Sequence, residues 1–311
     1  MKYSNITKEE QELIDIIIGM CLPRPKFPTI LFDNGYQIKK MEKAFNISNG
    51  NEVKPDIIVA AEEKGSLIIF EAKSGKNADE EQADNYSNIN EDDLIKNAGF
   101  NKDLIGNGFD VSYLCYKKVT VKKEEKQGFK NLIKSFKSNH NFPVLVFNKE
   151  EKELKLKLYK FEDQQLNDIF NKPITIPLDR LPTFIKFNER TKIDEIKPEI
   201  IRTIISYTYR DKLKFTIKEI LEEIISPFPG FINFFGTRFK KAMMKKIKMA
   251  LKQLGDKHSK YIEWDTDNKE WCINESLSDL HPMQLKMLAK FPNDIDLNTN
   301  QMDIYEYMDE F

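Results

Sequence analysis

Asp56, Glu71 and Lys73 are the residues of this chain whose types and spacing suit hydrolytic chemistry. Asp56 opens the apolar run Ile57-Ile-Val-Ala-Ala61, and Glu71 and Lys73 close the run that starts Ser66-Leu-Ile-Ile-Phe70. Between the runs lies Glu62-Glu-Lys-Gly65, which predicts an antiparallel hairpin with Gly65 supplying the turn. Side chains alternate along a strand, so Glu71 and Lys73 share one face while Phe70 and Ala72 take the other. Two carboxylates and an ammonium then converge at one end of a sheet. Hard carboxylate oxygens suit Mg²⁺, with Mn²⁺ as a substitute. Such a cation lowers the pKa of a bound water and polarises a phosphoryl oxygen. Lys73 is suited to holding the attacking water and stabilising the charge that develops.

Gln82 and Tyr86 follow at a spacing of four, which puts both on one face of a helix. Pro55-Asp56 … Glu71-Ala72-Lys73 resembles the motif of the PD-(D/E)XK nucleases, and Gln82-Ala-Asp-Asn-Tyr86 resembles the Gln-x-x-x-Tyr element of their RecB-like branch. The resemblance covers strand order over about the first 160 residues. It implies a restriction-endonuclease-like α/β core, a mixed central sheet flanked by helices. It further implies catalytic roles for Asp56, Glu71, Lys73, Gln82 and Tyr86, and metal ligation by Asp56 and Glu71. Family members often carry an acidic residue on the first helix near the metals, which points to Glu10 as a third ligand.

Residue types give Glu10 a second role. Thr7-Lys-Glu-Glu10 ahead of an apolar run is a capping-box signature, and Glu10 lies in line with Ile14, Ile17 and Cys21. Cap and ligand stay open as alternatives. Glu12 falls on the other face, where solvent is expected.

Further along, the pattern predicts helices over 91–98 and 126–136 and strands over 109–116, 143–147 and 153–161. The last alternates Leu with Lys, as an exposed edge or meander strand would. Pro173, Pro177, Pro182 and Pro198 punctuate the stretch where a boundary is expected, near 185–197. Beyond it, the stripe Ile200, Ile201, Ile204, Ile205 and Thr208 predicts a first helix. A second capping box, Thr216 with Glu219, opens another, and a third runs from about Thr237 to a stop at Gly255. A β-hairpin over 260–273 completes the order of a winged helix-turn-helix. Arg238, Lys241, Lys245, Lys248 and Lys252 line the third helix away from its apolar stripe, a face suited to phosphate contact.

The expected organisation is thus a nuclease domain over 1–190, a winged-helix domain over 191–275 and an acidic tail over 276–311. In that tail Asp294, Asp296, Asp303, Glu306, Asp309 and Glu310 meet no Lys or Arg after Phe291. This tail and the basic third helix cancel in a net charge of -1 over 311 residues, an asymmetry that points to a polyanionic partner. No run is long enough for a membrane span, and no signal-peptide pattern opens the chain, so a cytoplasmic location is expected. Cys21, Cys115 and Cys272 are too scattered for a disulfide framework or a zinc site, and His140, His258 and His281 read as surface or turn residues. The expected function is a Mg²⁺-dependent DNA nuclease, endonuclease before exonuclease, in restriction, phage defence or DNA mobility. The alternatives are a latent nuclease subunit of a multiprotein defence or transposition complex and a DNA-binding protein that has lost activity; the expected partners are DNA and a second copy of the chain or a larger nuclease complex. The domain order also resembles the endonuclease subunit of certain cut-and-paste transposons.

Overall fold

The computed structural model describes residues 7–74, 80–117, 133–134, 140–184, 186–189, 191–225 and 228–274. The helix expected over 126–136, apart from Ile133 and Lys134, lies outside the described residues, as do His281 and the acidic tail. The chain divides into two compact units, Met1–Ile185 with Asn233–Arg238, and Lys186–Ile232 with Phe239–Phe311. Nothing in the residue pattern announces the return of 233–238 to the first unit.

The first unit opens with α1 (Lys8–Met20) and the short α2 (Ile30–Asp33). Strand β1 (Tyr36–Met41) follows, then the small ribbon of β2 (Phe45–Asn46) and β3 (Glu52–Val53), and the hairpin of β4 (Ile57–Ala61) and β5 (Ser66–Lys73). Helix α3 (Glu80–Ser87) and a π-helical turn (Asp93–Asn97) lead to β6 (Phe109–Lys117), β7 (Val144–Asn148) and β8 (Glu153–Leu158). Helix α4 (Gln164–Phe170) and β9 (Ile174–Thr175) end the unit's main stretch.

Seven strands form one mixed sheet in the order β1-β4-β5-β6-β7-β8-β9, with β5, β6 and β7 parallel and the other neighbours antiparallel. Strands β4, β5 and β7 are buried along their whole length, as near-continuous apolar runs require when both sheet faces are covered. One face packs against Ala83 and Tyr86 of α3 and Leu94 of the π-helical turn, through Ile58, Ile69, Val111, Tyr113 and Val144. Helix α1 packs on β5 and β6. Gly65 makes the hairpin turn at φ 54°, a conformation in which a β-carbon is penalised. Of the edge and meander readings of the last strand, the meander holds: β8 pairs antiparallel with β7 on one side and, at Glu153 and Leu154, with β9 on the other. The two-residue β9 was too short to leave a pattern of its own.

The second unit contains α5 (Ile193–Tyr209), β10 (Lys214–Phe215), α6 (Ile217–Ile225), α7 (Thr237–Lys257) and the hairpin β11 (Ile262–Asp265) with β12 (Glu270–Ile273). Its three strands lie in the order β10-β12-β11. Ile200, Ile204, Ile220, Ile224, Met243 and Ile247 are among its buried side chains. The Thr216–Glu219 box closes, with Thr216 N donating to Glu219 Oε2 at 2.7 Å and Glu219 N to Thr216 Oγ1 at 3.2 Å.

Two punctuation marks act differently from expectation. Pro198 lies inside α5, in its second turn, where it removes one main-chain donor without ending the helix. Gly255 does not stop α7, which continues to Lys257. A β-carbon there would sit 3.0 Å from Trp271 Cζ3, so the glycine makes room for an indole. His258, expected at the surface, is buried, and His140 is half-buried with its ring stacked on Phe142.

Candidate active site

Ile57 pairs with Phe70 across the hairpin, which sets Asp56 beside the C-terminal end of β5. There Asp56 Oδ2 accepts a hydrogen bond from Ala72 N at 2.7 Å. Glu71 (5% exposed) and Lys73 (8%) project from β5 on the same side, 3.1 Å apart from Oε1 to Nζ. Gln82 and Tyr86 come from one face of α3. Gln82 Nε2 donates to Glu71 Oε1 at 2.7 Å, and its Oε1 accepts from Lys73 Nζ. The Tyr86 hydroxyl donates to Glu71 Oε2 at 2.8 Å. Because Gln82 faces an acceptor-only group and a donor-only group at once, its amide orientation is determined.

Glu10 is buried and caps α1: Glu10 N donates to Thr7 Oγ1 at 3.2 Å, and Thr7 N donates to Glu10 Oε2 at 2.8 Å. Its other oxygen accepts from Ser74 N at 3.1 Å, and the Thr7 and Ser74 hydroxyls lie 2.6 Å apart. The capping box therefore also pins the residue that follows β5, and the Glu10 charge reaches Lys73.

Carboxylates outnumber cations here, and the titration directions follow. Burial pushes the Asp56 carboxyl well above the usual range, with the charges of Glu71 and then Glu42 adding to it against the Ala72 amide and Lys73. For Lys73 burial works against the charge, but Glu71, Asp56 and Glu10 together outweigh it and raise the pKa. Burial, followed by the Glu71 charge, holds the Tyr86 hydroxyl firmly protonated, as a donor to Glu71 must be. Cys115, beside Lys73 on β6, is pushed up to about 12 by burial, which makes it an inert thiol.

Among the described residues no group of three or more His, Cys, Asp or Glu is arranged to hold a metal ion. A hard cation that keeps several waters needs only one or two protein carboxylates. Asp56 and Glu71 suit that kind of binding, and their mutual repulsion is what a cation would relieve. A closed, all-protein cage does not fit.

Three features were not expected. Glu42, just beyond β1, is buried beside Asp56 and paired with Lys54. Glu12 is not left to solvent: Lys149 Nζ lies 2.8 and 2.7 Å from its two oxygens, and the Tyr116 hydroxyl donates to it at 3.1 Å. The first depends on the pairing of β1 with β4 and the second on the packing of α1 against the sheet, and no local pattern encodes either. On α7, Lys241, Lys245, Lys248 and Lys252 are all exposed, while Arg238 pairs with Glu52 at 2.9 Å.

The model of one protein family, the MJECL32 domain, matches residues 9–186. The chain belongs to the MJECL32 domain family. Similarity extends to the uncharacterized protein MJECL32 of Methanocaldococcus jannaschii, 29% identical over 184 residues, which cover 54% of this chain and 38% of that protein. The chain thus spans well under half of that relative's length. No solved structure matches it. The MJECL32 domain, as matched, holds Glu10, Asp56, Glu71, Lys73, Gln82 and Tyr86, and ends before α5. No helix among the described residues is long and apolar enough to cross a membrane.

Proposed function

We propose that this chain is a divalent-metal-dependent nuclease of the PD-(D/E)XK kind, acting on DNA. The observation that carries the reading is Glu71, which accepts from Gln82 and Tyr86 and contacts Lys73 while Asp56 stands just ahead of the neighbouring strand β4. A structural hairpin does not need two carboxylates and an ammonium brought together out of water, since buried charges cost stability, and such clusters are concentrated at functional sites. Asp56 and Glu71 would hold the metal, Mg²⁺ or Mn²⁺, with Glu10 close behind. When bound, that ion supplies a low-pKa water and neutralises charge on the phosphoryl group. Lys73, charged and oriented by Gln82, would hold the attacking water in line with the phosphorus. Gln82 and Tyr86 keep the Glu71 oxygens turned toward the centre.

The second unit supports the choice of DNA. Helix, strand, two helices and a hairpin, with the strands in the order β10-β12-β11, fit a winged helix in which α7 faces the duplex. The exposed lysines of α7 suit phosphates better than base edges, because bidentate base contacts favour Arg, Asn and Gln. The hairpin carries Glu263, Asp265, Asp267 and Glu270 against Lys269, so α7 rather than the wing is the part suited to phosphates.

Substrate class is tested by incubating the purified chain with supercoiled plasmid, linear duplex and single-stranded RNA, each with Mg²⁺ or with EDTA. Nicking of the plasmid only with Mg²⁺ supports the reading, and an unchanged plasmid alongside degraded RNA redirects it.

A further inference from the structure

Beyond Phe70, β5 runs on without β4 beside it. The β4–β5 ladder ends with Ile57 opposite Phe70, while the pairing of β5 with β6 continues to Lys73 opposite Cys115. The amides of a paired strand alternate between its two neighbours. Leu67 N donates to Gly108 O, on the β6 side, so the amides of Ala72 and Ser74 face the side where β4 has ended. Main-chain donors taken out of water need acceptors. Two carboxylates supply them: Ala72 N donates to Asp56 Oδ2 at 2.7 Å, and Ser74 N to Glu10 Oε1 at 3.1 Å. Glu10 thus continues the row that Asp56 begins.

The two carboxylates differ in what they have left. Asp56 commits one oxygen, and its Oδ1 accepts no hydrogen bond among the described residues. Glu10 commits both, Oε2 to Thr7 N at 2.8 Å and Oε1 to Ser74 N. A further contact closes the corner, because Thr7 Oγ1, the cap of α1, lies 2.6 Å from Ser74 Oγ. Helix α1 is itself packed on β5 and β6. The end of β5 is therefore tied to a rigid element on the side where its neighbouring strand is missing. Lys73 is the residue between the two anchored amides, and its ammonium lies 3.1 Å from Glu71 Oε1.

We propose that Glu10 is a positioning residue for Lys73, which it holds through the main chain of Ser74, and that it does not ligate the cation. The proposal rests on the metal-dependent reading above and divides the labour among three carboxylates. Asp56 and Glu71 face the ion, while Glu10 fixes the strand end that carries the lysine. The carboxylate of the first helix then serves the ammonium and not the metal.

The test uses the full chain and two readouts, with a thermal melt for each variant. One is Mn²⁺ binding, followed by electron paramagnetic resonance of the free ion. The other is single-turnover cleavage of supercoiled plasmid at saturating Mg²⁺. Glu10→Gln keeps the length of the side chain, but one of the two amides it serves then faces an NH₂ group. Folded Glu10→Gln should bind Mn²⁺ as tightly as wild type. It should cleave at least about 10-fold more slowly even at saturating Mg²⁺, since a misplacement of about 1 Å can cost about 100-fold. A metal ligand would behave the other way, with weaker Mn²⁺ binding and a rate that excess Mg²⁺ restores. A helix cap and nothing more would lower the melting temperature and leave affinity and rate as they are. Glu10→Asp keeps the charge but is too short to serve both amides. It should repeat the loss of rate at unchanged affinity, and it decides the matter if Glu10→Gln does not fold. Weaker Mn²⁺ binding, or a wild-type rate in the folded variant, overturns the proposal. Asp56→Asn separates the two levels. If Asp56→Asn abolishes Mn²⁺ binding and cleavage while Glu10→Gln cleaves at the wild-type rate, only the role of Glu10 falls. If wild type neither binds Mn²⁺ nor cleaves, or Asp56→Asn binds Mn²⁺ as well as wild type, the cation centre and the proposal fall together.

Discussion

The Tyr86 hydroxyl donates to Glu71 Oε2 at 2.8 Å from a ring that is itself fully buried. The ring meets Tyr113 edge-on at a centroid distance of 6.2 Å, and Tyr113 lies 5.5 Å from Phe142. The orientation of Glu71 is therefore set from within the hydrophobic core, by packing that extends from α3 across β6. A carboxylate held by core packing cannot drift with the surface.

Tyr86→Phe keeps that packing and deletes one bond to a charged acceptor. The variant should lose about 2 kcal/mol of stability, and turnover should drop roughly 10-fold. Gln82→Ala should slow turnover in the same way without unfolding the chain. Urea unfolding beside single-turnover cleavage checks both, and wild-type rates would reduce the pair to packing residues.

Asp110 lies at the other end of the sheet, where its carboxylate accepts from Glu162 N at 3.0 Å. Burial pushes its pKa up from 3.8 to about 7; the Glu162 amide opposes this, and the charges of Glu162 and Asp163 add to it. A raised carboxyl pKa means that the folded chain holds this proton more tightly than the unfolded one. Its stabilising contribution is full below the unfolded value of 3.8 and is lost as pH rises through about 7, at no more than about 1.4 kcal/mol per pH unit. Asp110→Asn keeps an acceptor for the amide and should flatten the dependence of the melting temperature on pH over that window. An unchanged pH profile would show that Asp110 is charged in the fold.

Gly236→Ala forces a β-carbon against the main chain of Glu42. Overpacking against backbone costs about 1–3 kcal/mol, so the midpoint of chemical unfolding should fall accordingly. A neutral result would mean that residues 233–238 are not held against residues 41–43.

DNA affinity should fall steeply with salt, each phosphate contact from Lys241, Lys245, Lys248 or Lys252 contributing about -0.9 to the log–log slope. Lys245→Glu with Lys248→Glu should weaken binding on every sequence and flatten the slope by about two contacts' worth. Titrations by fluorescence anisotropy at several salt concentrations check this, and an unchanged slope would remove α7 from the interface.

Parts of the architecture could be read along the chain because they are local. Gly65, the apolar runs around it and the period of two put Glu71 and Lys73 on one side, and the spacing of Gln82 and Tyr86 put both on one side of α3. What could not be read depends on pairing between distant segments. Glu42 meets Asp56 through the β1–β4 ladder, and Glu12 meets Lys149 from the turn after β7, more than a hundred residues away. Gly255 looked like a helix stop because the indole of Trp271, which requires it, comes sixteen residues later. Edge and meander readings of β8 could not be separated along the chain because its outer partner is two residues long.

The central claim is that Asp56 and Glu71 form a metal-dependent hydrolytic centre. Its most direct test is nicking of supercoiled plasmid by wild type and Asp56→Asn, prepared in parallel and matched for folding by circular dichroism, with Mg²⁺ and with EDTA. The account predicts that wild type converts the plasmid to open-circular and linear forms only with Mg²⁺, and that folded Asp56→Asn leaves it supercoiled. Equal cleavage by the two proteins, or no cleavage by wild type on any nucleic acid under either condition, would contradict it.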